Sequence, residues 1–556
     1  MFIQIISVIC MIVINGCRSD EAQFYTAAIA EVNPVNDGYS FEGVAELTKQ
    51  AVEIIESHEM KEVDIMVLPE GLLNRRYNTT ILLPNTEKSY CDDPNIHFVL
   101  RNISCAARKV RKYVVINLNV RVNCSHDDQS FCAYQDDSTN LYNMAIAFDR
   151  NGDMVARYRK YHLFGETGVQ QTEKPDRITF KTDFNVTFGV CICFDLFFDE
   201  PTLDLVQQGI KHFVYPTKWY SEIPYLSAVQ YQQSWAYANN VNLLAANINL
   251  PDIKCSGSGI FSGRSGALQV VVNETPTTKI LVAKVPVHLP ADDEYSANTF
   301  DNVIFKETAM ESGDKHFGNN RSAEQTIAMN LGQEKLTDYT VKFLDFTASH
   351  YKVGSVCNEA ICCNYTIEVT DNGEQKGKSS YSYAITVFSG RRKHGTIENL
   401  LTGQDICGLV ACTDRNSKHS CGIRLPTAQV QNRYHFKKLH LRTVLSITHM
   451  KIMPNTLTQQ LLPLKPMEFE HQIFKVEGAD KYDVTLNLNG QQSDLLTFAI
   501  FSRDFDKDIY NQITPNSAAS QKGTFILIFC IVFSISGIIS IEYIEKRVCY
   551  SALMVE

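Results

Sequence analysis

Three residues in the first half of the chain combine side chains suited to nucleophilic attack on a carbonyl with positions at the ends of strand-like runs. Cys193 closes the segment Val190-Cys191-Ile192-Cys193-Phe194-Asp195, where apolar sequence gives way to polar. Active sites of layered α/β proteins collect at the carboxyl ends of strands. A thiol exposed there is a strong nucleophile once it loses its proton. Lys160 sits in Arg157-Tyr158-Arg159-Lys160-Tyr161-His162-Leu163-Phe164, a cationic run laced with aromatic residues. A lysine held near a reacting carbonyl stabilises the charge that develops on its oxygen. Glu70, in Leu68-Pro69-Glu70-Gly71, is a strand-end carboxylate able to take the thiol proton. Taken singly, each has an ordinary reading: a buried or disulfide-bonded cysteine, a solvated surface lysine, a loop or helix-cap carboxylate. Cys191, two residues earlier and deeper in the same run, exemplifies the first of these. No GxSxG, HExxH or paired CxxC motif occurs, which removes serine-hydrolase and common zinc chemistries.

The elements that would position these residues alternate. A helical stretch, Phe41 to Ser57, precedes the apolar run Val63 to Leu68, and a basic helix through Arg101 and Arg111 precedes Val114 to Leu118. Tyr142 to Phe148 is closed by Asp149-Arg150-Asn151-Gly152-Asp153, a turn that folds Met154 to Tyr158 back as a hairpin. Phe188 to Cys193, Phe213 to Tyr215 and Leu243 to Asn247 are further strand runs with helices between them. Strands separated by helices predict a layered α/β domain, here residues 22–297. Polar sequence from Asn298 to Ser322 contains a linker at 298–314. Asp338 to Thr347, Ser379 to Ser389 and Tyr482 to Leu488 have β character, predicting a smaller, mainly β second domain over 315–510.

The chain has 556 residues, more than one core usually supports, and ordinary globular composition, 44% hydrophobic and 21% charged. Its formal net charge of −10 gives no reason to expect a nucleic-acid partner. Phe2 to Ile14 is apolar and followed by small residues, so residues 1–18 read as a signal peptide. Seven glycosylation sequons, at Asn78, Asn102, Asn123, Asn185, Asn273, Asn320 and Asn364, agree with secretion. So do the cysteines: 13 of the 17 fall between Cys91 and Cys421. Setting Cys193 aside leaves an even 12, with Cys124–Cys132 and Cys407–Cys412 the expected local pairs. Beyond a spacer at 511–523, residues 524–541 are apolar and uncharged, and 542–556 form a polar tail. The 18-residue apolar stretch predicts a membrane tether, as a single spanning helix or as the signal for a glycolipid anchor near Asn516 to Ser520.

The order and context of these segments resemble the nitrilase superfamily, and within it the vanin and biotinidase branch. The carriers are Pro69-Glu70, Tyr158 to Phe164, Ile192-Cys193-Phe194-Asp195, Tyr215-Pro216-Thr217-Lys218-Trp219 with Leu226-Ser227-Ala228, Ser256-Gly257-Ser258-Gly259-Ile260 and Tyr383 to Phe388. The resemblance implies an α-β-β-α sandwich followed by the β domain, and a Glu-Lys-Cys triad that needs no cofactor. On that pattern Cys193 attacks an amide carbon, Glu70 takes its proton, and Lys160 with the Phe194 N–H binds the oxyanion. Glu166 is then the second carboxylate that positions the lysine, and Lys218 and Trp219 border the substrate. Lys218, Arg159 and Cys255 stand where that branch carries alanine, histidine and methionine, which bears on the substrate and leaves the triad intact. Nitrilase domains often pair face to face, so a monomer or weak homodimer is expected, with the β domain able to cover that surface.

Three functions follow. The leading one is hydrolysis of a linear amide, pantetheine by resemblance, at the outer face of a membrane. The second is cleavage of biotinyl amides such as biocytin. The third is a tethered adhesion or signalling ectodomain on a retired hydrolase fold, which loss of a triad residue would favour.

Overall fold

The computed structural model describes residues 23–74, 81–83, 89–123, 139–290, 329–395, 397, 400–446 and 449–510. Residues up to Asp508 form one compact unit, and those from Ile509 a second, of which Ile509 and Tyr510 are described. The predicted signal peptide, linker and apolar tail lie outside the described residues, as do Asn78, Asn320, Cys124 and Cys132.

Two six-stranded sheets make the centre of the first domain. The first contains β1 (Phe24–Glu31), β2 (Ile65–Val67), β3 (Tyr113–Asn123), β4 (Thr139–Phe148) and β5 (Met154–Arg159). The second contains β6 (Thr179–Lys181), β7 (Thr187–Val190), β8 (His212–Thr217), β9 (Asn242–Asn247), β10 (Ser258–Ser262) and β11 (Ala267–Val271). β12 (Lys279–Pro286) then returns to the first sheet beside β1. β1, β2 and β3 pair in parallel, as do β7, β8 and β9, with antiparallel strands outside both trios. The sheets pack face to face, β1 against β9 and β10, β2 and β3 against β8.

Two helices cover the first sheet. α1 (Phe41–Ile55) starts where Ser40 Oγ accepts from the Gly43 N–H at 2.9 Å. Its Val44, Leu47, Ala51 and Ile54 recur at helical spacing and pack with Val99, Leu100, Ile103 and Ala107 of α2 (Phe98–Val110) onto Met66, Val114, Ile116 and Ile146. Over the second sheet lie α3 (Thr202–Gln207) and α4 (Ala228–Asn239). α4 is buried at almost every position because its far side is covered by a strand of the second domain. The layering is the α-β-β-α sandwich expected from the sequence.

The second domain is a pair of five-stranded sheets with antiparallel pairing. One is formed by β13 (Thr340–Leu344), β16 (Ser382–Lys393), β17 (Leu400–Cys412), β22 (Leu495–Tyr510) and β19 (Met450–Thr458), in that order. The other is formed by β14 (Tyr351–Asn358), β15 (Ile361–Asp371), β18 (Tyr434–Ser446), β21 (Lys481–Leu488) and β20 (Phe469–Lys475). Ile367, Phe436 and Leu486 from one sheet share an apolar core with Ile385, Leu409 and Phe498 from the other.

Four disulfides are described: Cys91–Cys105, Cys357–Cys362, Cys363–Cys407 and Cys412–Cys421. They correct the expected Cys407–Cys412 pair. Both residues lie on β17, and five residues of extended chain place them roughly 16 Å apart on opposite faces. The even count of 12 does not translate into six pairs, since Cys191 and Cys255 are buried thiols outside any disulfide. Among the sequons, Asn102, Asn185 and Asn364 are exposed. Asn273 is buried with its Nδ2 donating to Glu31 Oε1 at 3.0 Å, so its amide is not available to a glycan.

Candidate active site

Three strand ends converge between the layers. Beyond β2, the Leu68 N–H continues the ladder to Val115 O, and the Glu70 N–H crosses to Thr217 O of β8 at 3.3 Å. Gly71 then turns with φ +68, a conformation that suits glycine, and its N–H donates to Asn117 Oδ1 at 3.0 Å. These bonds fix the chain on both sides of Glu70 and hold its carboxylate inside, 5% exposed.

Lys160 follows β5 directly, and its N–H donates to Asn143 O at 2.8 Å. Its ammonium is buried between two carboxylates, 2.8 Å from Glu70 Oε1 and 2.5 Å from Glu166 Oε1. Burial works against the charge, but Glu166 and Glu70 together outweigh it and hold the lysine pKa above its ordinary range. Glu166 is itself oriented by the Phe164 N–H, which donates to Oε2. The sequence-predicted second carboxylate is therefore in contact with the lysine.

Cys193 lies just past β7. The predicted strand to Cys193 stops at Val190, because the chain leaves the ladder to open a 3-10 turn, Cys193–Phe197. Cys193 opens it with φ +44, a left-handed conformation rare for a residue with a side chain. Asp195 sustains it: Oδ2 accepts from the Ile192 N–H at 3.0 Å and the Tyr158 hydroxyl at 2.8 Å, and Oδ1 from the His162 N–H at 2.8 Å. The Tyr215 hydroxyl donates to Cys193 O at 2.7 Å. The Thr217 hydroxyl and the Lys218 N–H lie close enough to the sulfur to favour its charged form. Burial first, and then the charge of Glu70, push the thiol pKa up against the pull of Lys160 and these two donors. Burial and the neighbouring Glu70 thus favour the neutral thiol over the thiolate.

The remaining predicted residues lie on the same wall. The Lys218 N–H donates to Glu70 Oε2 at 2.9 Å, while its side chain extends half-buried toward Tyr220. Trp219 is buried, stacked on Tyr231 at 5.3 Å, with its indole N–H donating to Leu226 O. The Phe194 ring packs edge-on to Phe164 and His394.

Comparison with known proteins completes the description. The carbon-nitrogen hydrolase family profile matches residues 26–265, and that of the vanin C-terminal domain matches residues 329–508. Vanin-like protein 1 of Drosophila melanogaster is 35% identical over 513 residues, covering 88% of this chain and 87% of that one. The chain belongs to the vanin-like carbon–nitrogen hydrolases. Human pantetheinase is 27% identical, covering 85% of this chain and 86% of its own. The biotinidase of Takifugu rubripes is also 27% identical, covering 79% and 84%. This vanin-like hydrolase is accordingly an enzyme acting on amide carbon–nitrogen bonds.

Two residues of the vanin-like site escaped the sequence reading. Asn143 Nδ2 donates to Glu70 Oε1 at 2.8 Å and reaches Glu166 Oε1 at 3.4 Å, and Asn117 Nδ2 donates to Asn143 Oδ1 at 2.6 Å. With the Gly71 N–H on Asn117, a continuous amide chain runs from the backbone to both carboxylates. The available signal was a polar residue interrupting each apolar run, Ile116-Asn117-Leu118 and Tyr142-Asn143-Met144.

Proposed function

We propose that this protein hydrolyses a linear amide through a thioester on Cys193, with pantetheine as the substrate. The observation that carries the reading is the buried Lys160 ammonium held by Glu70 and Glu166 beside a cysteine at positive φ. As the sulfur attacks the carbonyl carbon, its proton passes to Glu70, so the thiolate never exists free in an apolar site. Negative charge then gathers on the carbonyl oxygen, where Lys160 and the Phe194 N–H receive it. The C–N bond breaks as the amine takes the proton from Glu70, leaving the acyl group on sulfur. Water gives a proton to Glu70 and attacks the thioester; the acid departs and Cys193 regains its proton.

Pantetheine and biotinyl amides are both extended amides with a polar head, and the two relatives share the same identity with this chain. Assaying the purified secreted protein on pantetheine and biocytin side by side separates them. Pantothenate release with biocytin untouched supports the reading; the reverse assigns biotinyl amides. No turnover of either, with Cys193 intact, returns the adhesion or signalling reading. Cys193→Ala should abolish turnover and leave secretion near normal, because one strand-end thiol contributes little packing.

We propose further that the enzyme is tethered at the outer face of a membrane through residues 524–541. No described helix is long and apolar enough to span a bilayer, and this stretch lies outside the described residues. Release from cells by a phosphatidylinositol-specific phospholipase supports a glycolipid anchor, and retention supports a spanning helix. Full-length protein free in the medium with its tail intact excludes both.

A further inference from the structure

The short turn that carries Cys193 is gripped from the other domain. Phe197 is the last residue of that turn, and a helical end leaves its carbonyls without intrahelical partners. The partner supplied to Phe197 O is Arg503 Nε, at 2.9 Å, from β22 of the second domain. The Arg503 side chain is fully buried, a costly place for a cation unless every donor is used. Its Nη2 donates to both oxygens of Asp508 at 3.0 and 2.7 Å, and its Nη1 donates to the Gly403 carbonyl. Its plane lies over the Phe197 ring at 4.4 Å. Gly403 is required for this approach, since a Cβ there would run into the Asp504 carbonyl.

The grip is transmitted along the turn. The Phe197 ring stacks on Phe194 at 5.6 Å and 9°. Phe194 is the residue whose N–H is assigned to the oxyanion. His394, also of the second domain, packs edge-on against both rings at 5.3 and 5.2 Å. The first domain therefore anchors the start of the turn through Asp195 and Tyr215, and the second domain anchors its end.

We propose that Arg503 is a positioning residue for the nucleophile turn, so that the β domain sets the alignment of Cys193 and the Phe194 N–H. This rests on the reading of Cys193 as nucleophile. Small misplacement of a reacting group is felt in turnover, whereas substrate affinity depends on the other walls of the site.

The test compares Arg503→Lys with Arg433→Lys in the full chain on one amide substrate. Arg433 also makes a forked pair within the β domain, to Asp371 at 2.8 Å, and serves as a control for stability lost without contact to the turn. Arg503→Lys should lower kcat by about 10- to 100-fold at temperatures well below its melting midpoint. KM should stay within about threefold, and iodoacetamide should alkylate Cys193 at an altered rate. Arg433→Lys should lower the midpoint and leave both readouts unchanged. If Arg503→Lys is not secreted, Asp508→Asn, which loosens the guanidinium while keeping it, should show the same split. Wild-type kcat and alkylation rate in the secreted variant, or an equal kcat loss in Arg433→Lys, overturns the proposal. Wild-type enzyme that keeps its turnover after complete alkylation of Cys193 instead overturns the nucleophile assignment.

Discussion

Lys160 is the residue on which the charge balance of the site turns. With a carboxylate on each side, its ammonium is more than balanced at rest. On the proposed mechanism a proton reaching Glu70 removes one of those negative charges, so the interaction of Lys160 with the substrate oxygen is strongest in the transition state. Lys160→Met keeps the apolar stem and removes the charge. Turnover should fall by about 100- to 1,000-fold, the typical loss for one oxyanion donor. KM should change by less than about tenfold, as expected for an interaction absent from the ground state. Steady-state kinetics on one amide decides it, and near-normal turnover would show that the triad is misassigned. That Glu70, Lys160 and Cys193 would lie together was legible in the sequence because a reactive residue type at a strand end is unusual in itself. Asn117 and Asn143 were not, since an asparagine within a strand has no signature until the neighbouring strand brings its acceptor.

At the scale of elements, the informative departure is the early end of β7. The apolar run Phe188 to Cys193 predicts a strand to its last residue, because hydrophobicity reports burial and not dihedral angles. Where the strand ends, the Asp195 carboxylate takes the Ile192 N–H at 3.0 Å in place of a strand partner. Asp195→Asn replaces one acceptor oxygen with a donor while the Ile192 N–H, the His162 N–H and the Tyr158 hydroxyl all need acceptors. A buried donor left unpaired costs about 1–3 kcal/mol, and the variant should lose stability on that order. Denaturant unfolding monitored by fluorescence measures it; an unchanged midpoint would mean that the turn holds itself. The disulfide misreading has a related cause. Cys407 and Cys412 are near in sequence, but only their placement on one strand, facing opposite ways, shows that they cannot meet.

The whole molecule joins its two domains through buried polar contacts as well as apolar area. Arg392 of β16 pairs with Glu222 and Glu334, and Gln230 of α4 donates to Asn455 of β19 at 2.7 Å. Sequence indicated two domains but not this shared interior, because α4 has no polar face to mark it as a surface helix. Burial also makes the molecule sensitive to acid. His212 is 5% exposed, its Nδ1 facing Tyr25 Oη and Asn242 Nδ2 and its Nε2 facing Val287 O. Burial pulls its pKa from 6.5 down to about 4, and burial followed by Arg392 and Arg503 lowers that of His394. With a depressed folded pKa, the unfolded chain binds more protons between about pH 6.5 and 4, so stability falls as pH falls through that window. His212 alone should contribute on the order of 3 kcal/mol to that loss. Melting midpoints between pH 7 and 4 should decline steadily, and less steeply in His212→Gln. A flat profile would show that this histidine is solvated.

The distribution of sulfur has a consequence for how long the enzyme lasts. None of the four described disulfides involves the Cys193–Phe197 turn, while Cys191, Cys193 and Cys255 remain reduced within the first domain. At the proposed outer face of a membrane no reducing pool repairs a sulfenic acid, so a reactive thiol there is on a finite lifetime. Cys193 is 6% exposed, and on the proposed mechanism the amide must reach the sulfur through that small opening. An oxidant and a substrate therefore compete for one doorway, and an idle molecule ages faster than a busy one. In dilute peroxide, activity should decay more slowly with saturating acid product present than without it, and equal decay would mean that the sulfur is reached from elsewhere.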